Sequence, residues 1–166
     1  IDWHMGLDIA PSVDGVEGDD LIACHNGKLK YKHDSTGYGD YLILEFYDAA
    51  TNTKKVYDTG EGAQKALYAH IIYNPSLSSG DMVKQGDIIG SMGGSAGKSY
   101  SGNSLGVHLH YEIGTGKAYT SKYPNRNNWD SSKFDSYGAA RAGETYNHTQ
   151  MGKDVFFVVN PQNYIK

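Results

Sequence analysis

Short runs of alternating apolar and polar residues, separated by glycine turns, constrain this chain more than any other feature. Side chains of a strand alternate between two faces, so such runs predict strands with one buried face. Before residue 130 no stretch repeats with the period of a helix. The 21 glycines favour turns between the strands. The pattern predicts a mainly β fold built on antiparallel strands.

Several segments carry strand patterns of their own. Residues 21–33, "LIACHNGKLKYKH", are interpreted as two short strands around an Asn-Gly turn, which is a strong hairpin signal. Residues 65–73, "KALYAHIIY", are interpreted as one strand, with Tyr68, His70 and Ile72 on one face. The remaining strands are expected in "HMGLDIAP", "GYGDYLILEFYD", "KKVYD", "GDMVKQGDIIGSM" (two short runs), "VHLHYEI" and "DVFFVVNPQNYIK".

Residues 114–153 differ from the rest because they are polar, rich in Asn, Ser, Tyr and Gly, and lack periodicity. We interpret them as a loop insertion, in which 131–143 could hold one short helix with a serine cap. A chain of 166 residues suits one domain with a core of its own. Because the chain opens inside a patterned segment, we expect residues 1–166 to be one domain excised from a longer protein.

Composition excludes several functions. A net charge of −4 without a basic cluster argues against binding to nucleic acid or to an anionic membrane surface. Apolar runs are too short to cross a membrane. The single cysteine, Cys24, cannot form an internal disulfide or a cysteine-based zinc site, and its apolar surroundings favour a structural thiol. A monomer is the default expectation.

The segment "GVHLHYE", residues 106–112, places two of the 7 histidines two positions apart. On a strand, Val107, Leu109 and Tyr111 share a buried face, and His108, His110 and Glu112 share the other. An isolated pair of this kind is often coincidental. Glu112 could orient a ligand histidine by a hydrogen bond, or it could be a solvated strand residue.

Two further segments offer partners for these histidines. His4 and Asp8 are four apart and therefore share one face of a strand, and His70 lies in a third strand pattern. Zinc binds imidazole nitrogen and carboxylate oxygen, and catalytic sites use three protein ligands plus water. Since the chain offers more candidates than that, some histidines have another task, such as moving a proton or stabilising an oxyanion.

The order of these motifs resembles a known family. "HMGLD", "GYG", "YAH", "VKQGDIIG", "HLH" and finally "VNPQNYI" occur in the order found in zinc metalloendopeptidases of the lysostaphin and LytM type. The resemblance covers residues 4–113 and resumes near 158. It implies an antiparallel β-sheet core with a groove framed by loops and few or no helices.

The resemblance also implies roles. His4, Asp8 and His110 match the three ligands of one Zn²⁺, and His70 and His108 match the pair beside the metal-bound water. Which of the two accepts the proton stays open. The family hydrolyses peptide bonds in bacterial peptidoglycan, which implies an extracellular or cell-wall-associated enzyme, with periplasmic and phage-borne settings included. The alternatives are a non-catalytic scaffold or regulator of wall hydrolysis with the same fold, and a carbohydrate-binding β module.

Other residues are expected to stay outside the site. His25, His33 and His148 are interpreted as surface histidines, of which His148 is the best placed to border the groove. Tyr38 and Tyr100 lie in glycine loops, where packing or surface positions are expected and lining the groove is the alternative. The segment between "LEF" and "YAH", together with 114–153, is longer than in compact family members. Both would frame the groove, so the bond that is cut stays open.

Overall fold

The structure is a computed structural model, and it describes residues 7–48, 64–116, 145–147 and 156–159. The strand predicted at 54–58, the helix within 131–143, and the residues His4 and His148 lie outside the described residues.

The described residues form strands and one short 3₁₀ turn, without an α-helix among them. The strands are β1 (Leu7–Ile9), β2 (Asp20–Ile22), β3 (Gly27–Asp34), β4 (Gly39–Phe46), β5 (Gln64–Ala69), β6 (Ile71–Tyr73), β7 (Met82–Val83), β8 (Ile88–Met92), β9 (Leu109–Gly116), β10 (Thr145–Asn147) and β11 (Phe156–Val159). The 3₁₀ turn spans Ser99–Ser101. The predicted mainly β fold is confirmed.

The strands form two antiparallel sheets. The larger sheet has the order β10-β11-β9-β5-β4-β3-β7, and β1 pairs with β9 beside this path. The smaller sheet has the order β2-β8-β6. Two strands pair with the same edge of β9: β1 pairs with the first residues of β9, and β11 pairs with its last residues. This arrangement brings Asp8 directly opposite His110.

The main core lies on the face of the larger sheet that the smaller sheet covers. Alternate residues of β4 and β9 enter it, and they pack with Leu21, Ile71, Ile89 and Met92 of the smaller sheet. Burying one such side chain contributes about 1.5–3 kcal/mol.

The opposite face carries a second buried cluster formed by Tyr38, Tyr41, Ile43, Leu67 and Ala69. The site histidine His110 lies beside this second cluster, because its neighbour across the ladder is Ala69.

The predicted hairpin at 21–33 is wrong, although both of its strands form. Strand β2 pairs with β8, whereas β3 pairs with β4 and β7. Leu21 of β2 and Leu29 of β3 both enter the core between the sheets. Burial of the apolar face of each strand therefore outweighs the local turn signal. The turn is held from outside, since Tyr47 N donates to Asn26 O and Gln85 N donates to Asn26 Oδ1.

The single strand predicted at 65–73 is also wrong, because it breaks at His70. His70 has φ 60, the left-handed conformation that interrupts strand alternation. Its N–H donates to Tyr38 O, and its carbonyl accepts from Gly93 N, both at 2.9 Å. The chain therefore leaves the larger sheet with β5 and enters the smaller sheet with β6. As a result Tyr68 belongs to the main core while His70 does not.

The predicted loop insertion is corrected at both ends. Strand β9 runs to Gly116, and residues 145–147 form β10, which pairs with β11. The final strand predicted near the end of the chain is confirmed by β11. In the parts of the chain that the structure describes, no helix is long and apolar enough to span a membrane.

Candidate functional site

Strand pairing assembles the first half of the site. His110 of β9 lies opposite Asp8 of β1, and His110 Nδ1 is 3.1 Å from Asp8 Oδ1. The imidazole is buried, whereas the Asp8 side chain is about half exposed at 48%. The pair therefore stands at the edge of the buried cluster with one side open to solvent.

Glu112 fixes the orientation of the His110 ring. Its carboxylate is fully buried, and Oε1 accepts from His110 Nε2 at 2.6 Å and from the Tyr38 hydroxyl at 2.7 Å. An ionised carboxylate can only accept, so Nε2 carries the proton and Nδ1 is turned towards Asp8. The hydrogen-bonded interpretation of Glu112 is confirmed and the solvated one is wrong.

The carboxylates of Asp8 and Glu112 favour the protonated, positively charged form of His110. Burial lowers the pKa of His110, but the hydrogen bonds to Asp8 and Glu112 outweigh it and raise the pKa to about 9. The Nδ1 position that faces Asp8 therefore attracts a cation, because two carboxylates surround the ring.

His70 supplies the second half of the site from a strained backbone position. Its Nδ1 is 2.9 Å from Ser101 O, and since a carbonyl only accepts, Nδ1 carries the proton and Nε2 keeps its lone pair. The ring centroid lies 4.8 Å from that of His108 and 6.1 Å from that of His110. Burial, followed by the nearby His108 and His110, lowers the pKa of His70 to about 4.

His108 is held in the same manner. Its Nδ1 is 2.8 Å from Gly106 O and 3.2 Å from Ser104 Oγ, so the proton again belongs on Nδ1. Its Nε2 lies 3.7 Å from Asp8 Oδ1. Both His70 and His108 are thus anchored through Nδ1 to backbone carbonyls and keep Nε2 for chemistry.

Two glycines let the supporting turns interlock. Gly39 has φ 65 and Gly102 has φ 55, and a Cβ at Gly39 would overlap the Tyr100 carbonyl and lie 2.6 Å from Gly102 N. The two turns therefore contact backbone to backbone, which only glycine allows. This contact sets Tyr38 beside Glu112 and Ser101 O beside His70.

The structure brings together Asp8, His70, His108 and His110, four of the five residues selected from the sequence. The fifth, His4, lies outside the described residues.

Two other histidines lie elsewhere. His33 is exposed and hydrogen-bonded to Asp40 at 2.7 Å, as expected of a surface residue. His25 is half-buried and stacks on Phe46.

Two of the expected ligand atoms lie close to the separation that a shared zinc ion requires. Two donors on one tetrahedral zinc lie about 3.3–3.6 Å apart, given bond lengths of about 2.0–2.2 Å. The 3.1 Å between His110 Nδ1 and Asp8 Oδ1 is slightly shorter than this range. Within the described residues, no three His, Cys, Asp or Glu side chains form a group that could hold a metal ion. His4, the remaining ligand expected from the sequence, is not among those residues.

Several supporting groups were missed by sequence reasoning. Tyr38 is buried and bonded to Glu112, and the carbonyls of Ser101 and Gly106 hold the two histidines. Carbonyls carry no sequence signal, because every residue has one. Tyr100 is half-buried, and its hydroxyl donates to Glu17. Cys24 is as expected, since burial raises the pKa of its thiol and disfavours a thiolate nucleophile.

A cavity lies on the other face of β9. It has a volume of about 690 Å³ and is lined by Leu109 and Tyr111, which alternate with the site residues, and by Tyr68 and Met92. The histidines do not line it, so its apolar walls belong to the core side of the sheet.

Comparison with known proteins identifies the class and then the family. The class is that of peptidases: a family model described as "Peptidase family M23" matches residues 2–122. Since the match covers most of the chain, the protein belongs to peptidase family M23. The family resemblance read from the motif order is thereby confirmed.

Two solved structures are similar to this chain. The catalytic domain of the antimicrobial peptidase lysostaphin from Staphylococcus simulans is similar with a TM-score of 0.50 and 24% identity, covering 71% of each chain. A point mutant of the catalytic domain of the prophage-encoded M23 protein EnpA from Enterococcus faecalis has a TM-score of 0.49 and 28% identity, covering 70% of this chain and 71% of that one. The similarity to the lysostaphin catalytic domain supports the two-sheet fold and nothing beyond the fold.

Proposed function

We propose that this peptidase is a zinc-dependent endopeptidase that hydrolyses peptide bonds in the cross-links or stem peptides of bacterial peptidoglycan. Membership in family M23 supports the peptidase activity. The observation that carries the zinc site is the pairing of His110 Nδ1 with Asp8 Oδ1 at 3.1 Å, with Nε2 bonded to a buried Glu112. A carboxylate behind the imidazole is the usual support of a metal-ligating histidine.

In this proposal His4, Asp8 and His110 hold one Zn²⁺. When bound, zinc lowers the pKa of a coordinated water and polarises the scissile carbonyl. Glu112, which also accepts from Tyr38, holds the proton on His110 Nε2, so Nδ1, the atom that faces Asp8, is the one that would ligate the metal.

His70 and His108 act on the water and the substrate. With each Nδ1–H bonded to a carbonyl, a proton can be gained or lost only at Nε2, which fixes where proton transfer takes place. A neutral ring accepts a proton from the attacking water, and a protonated one stabilises the oxyanion. The two tasks are shared between His70 and His108.

The setting follows from the substrate. We propose that residues 1–166 form a monomeric peptidase domain. The domain is extracellular or cell-wall-associated, and periplasmic and phage-borne parent proteins are included in this proposal. The segments expected from the sequence to bear on the choice of bond, between "LEF" and "YAH" and in 114–153, lie largely outside the described residues.

Digestion of purified peptidoglycans with different cross-links tests the proposal. Each digest is run with the protein as purified, with a chelator, and with zinc restored, and new amino termini are identified by mass spectrometry. We expect termini that vanish with chelator and return with zinc. A zinc-loaded protein that cleaves no wall type would overturn the proposal and favour the scaffold alternative.

A further inference from the structure

One loop holds both histidines that are bonded through Nδ1 to backbone carbonyls. Residues 93–106, here called the histidine loop, supply Ser101 O to His70 and Gly106 O with Ser104 Oγ to His108. Both rings therefore take their acceptors from the same short loop. The position of the loop decides where both Nε2 atoms face.

A single carboxylate from another segment binds this loop. Glu17 Oε1 accepts from Ser95 N at 2.8 Å, and Glu17 Oε2 accepts from the Tyr100 hydroxyl at 2.7 Å. Both oxygens are used, one at the beginning of the loop and one in the 3₁₀ turn beside Ser101. The two bonds thus span the part of the loop that leads to the acceptor of His70.

The backbone around Glu17 is fixed to the same sheet from which the loop departs. Gly18 N donates to Met92 O at 2.9 Å, and Met92 N donates to Asp19 O at 2.8 Å. Met92 ends β8, and the histidine loop starts at the next residue. Glu17 is therefore held at a fixed distance from the start of the loop it binds.

The charge state of Glu17 suits this task. Burial raises its pKa, but the hydrogen bonds from Tyr100 and Ser95, aided by Lys98, outweigh burial and lower it. The hydrogen bond to Glu17 raises the pKa of Tyr100 to about 12. At neutral pH the carboxylate is ionised and the phenol keeps its proton, and hydrogen bonds to an ionised group are the stronger kind.

From this geometry we propose that Glu17 is a positioning residue for the reaction: it braces the histidine loop and thereby sets the Nδ1 acceptors of His70 and His108. The inference rests on the proposed roles of these two histidines. Glu17 itself touches neither ring in the described contacts, so it acts through Ser95 and Tyr100.

Glu17→Gln is the main test. An amide has one acceptor oxygen, so the bond to the Tyr100 hydroxyl must reverse, with the hydroxyl accepting from the amide NH₂, and both bonds lose the charge that strengthens them. We expect kcat on a cleavable wall peptide to fall about tenfold with KM unchanged, because misplacing a reacting group by a fraction of an ångström costs rate rather than binding. Zinc content should not change. Tyr100→Phe, which removes one bond only, should show a smaller loss.

Asp19→Asn is the matched control. Asp19 lies in the same segment and also accepts two hydrogen bonds, but both come from Ser12 rather than from the histidine loop. If Glu17 acts only by stabilising its own segment, both substitutions will have similar effects. If it acts on the histidine loop, Asp19→Asn will keep the wild-type kcat.

A structural readout separates this inference from the proposed function. Imidazole nitrogen shifts, measured by NMR on the zinc-loaded protein, report whether Nδ1 or Nε2 carries the proton in His70 and His108. We expect Glu17→Gln to reduce the Nδ1–H form in both rings, Tyr100→Phe to do so less, and Asp19→Asn to leave it unchanged. This result does not require a cleavable substrate.

The outcomes are decisive in each direction. Unchanged imidazole shifts and kcat in a folded Glu17→Gln variant would overturn the inference. Equal losses in Glu17→Gln and Asp19→Asn would also overturn it. Should Glu17→Gln fail to fold, Tyr100→Phe carries the test, and wild-type shifts in that variant would count against the inference. If the wild-type protein cleaves no wall type, but Glu17→Gln still changes the imidazole shifts, only the proposed function is overturned.

Discussion

The two halves of the site are built in different ways. Asp8, His110 and Glu112 stand on paired strands, and their neighbours are fixed by the register of β1 and β9. His70 and His108 stand at or beyond strand ends, and backbone carbonyls of a loop hold them. The strand half uses carboxylates to orient an imidazole, whereas the loop half uses carbonyls.

The difference suits the tasks proposed for the two halves. A ligand must keep its donor atom in one place, and a strand inside a sheet gives that rigidity. A proton-transferring group needs a defined tautomer, which a carbonyl at Nδ1 provides without adding charge. The loop half also stores strain, since His70 adopts φ 60 without being glycine.

The largest effect should separate the halves directly. His110→Ala removes a proposed ligand and leaves Glu112 buried without its imidazole partner, so zinc and activity should be lost together. His108→Ala should keep zinc and lose about 10²–10⁴ in rate, the usual size of an acid–base contribution. Metal analysis after dialysis, paired with wall digestion, measures both.

The control for this pair is His33→Ala, because His33 is exposed and bonded to Asp40 away from the site. It should keep zinc and rate. Loss of zinc in His108→Ala would contradict the division of the two halves.

The support of the strand half can be weakened on its own. Tyr38→Phe removes the hydroxyl that donates to Glu112 Oε1, and we expect zinc affinity to fall about tenfold, at the lower end for such supporting groups. Competition with a chromogenic chelator measures it. Tyr41→Phe removes a hydroxyl from the same buried cluster and should leave the affinity unchanged. Equal affinities of the two variants would show that the bond to Glu112 is dispensable.

Strain in the loop half can be measured by comparing two substitutions at one position. His70→Gly and His70→Ala both remove the imidazole, but only glycine adopts φ 60 without cost. We expect the free energy of unfolding of His70→Gly to exceed that of His70→Ala by about 1 kcal/mol. Urea titrations with equal zinc provide the values. A more stable alanine variant would mean that the backbone relaxes at this position.

The smallest effect concerns the residue that supports His70. Among the described residues, Ser101 Oγ is buried and has no hydrogen-bond partner, whereas its carbonyl accepts from His70. Ser101→Ala keeps the carbonyl and removes an unsatisfied hydroxyl, so stability should be unchanged or higher by up to about 1 kcal/mol. Thermal unfolding and rate measure the result. A marked loss of rate would show that the hydroxyl has a task in the site.

The strand half was predictable from sequence, and the loop half only in part. Period-two alternation placed His110 and Glu112 on one face, and the structure bonds Glu112 to His110. The break at His70 could not be predicted, because its cause is pairing with Tyr38 and Gly93, which are distant in sequence. The hairpin at 21–33 failed for the same reason, since a local turn signal does not reveal which sheet each strand joins.

Strand β1 couples two distant parts of the chain. Its side chain Asp8 is half exposed, and its partner His110 lies 102 positions away in the chain. Because Asp8 reaches His110 only when β1 is paired, cation binding and closure of this strand form one equilibrium. Amide exchange at Leu7–Ile9 should therefore slow when the cation is bound, while exchange in β4 stays the same.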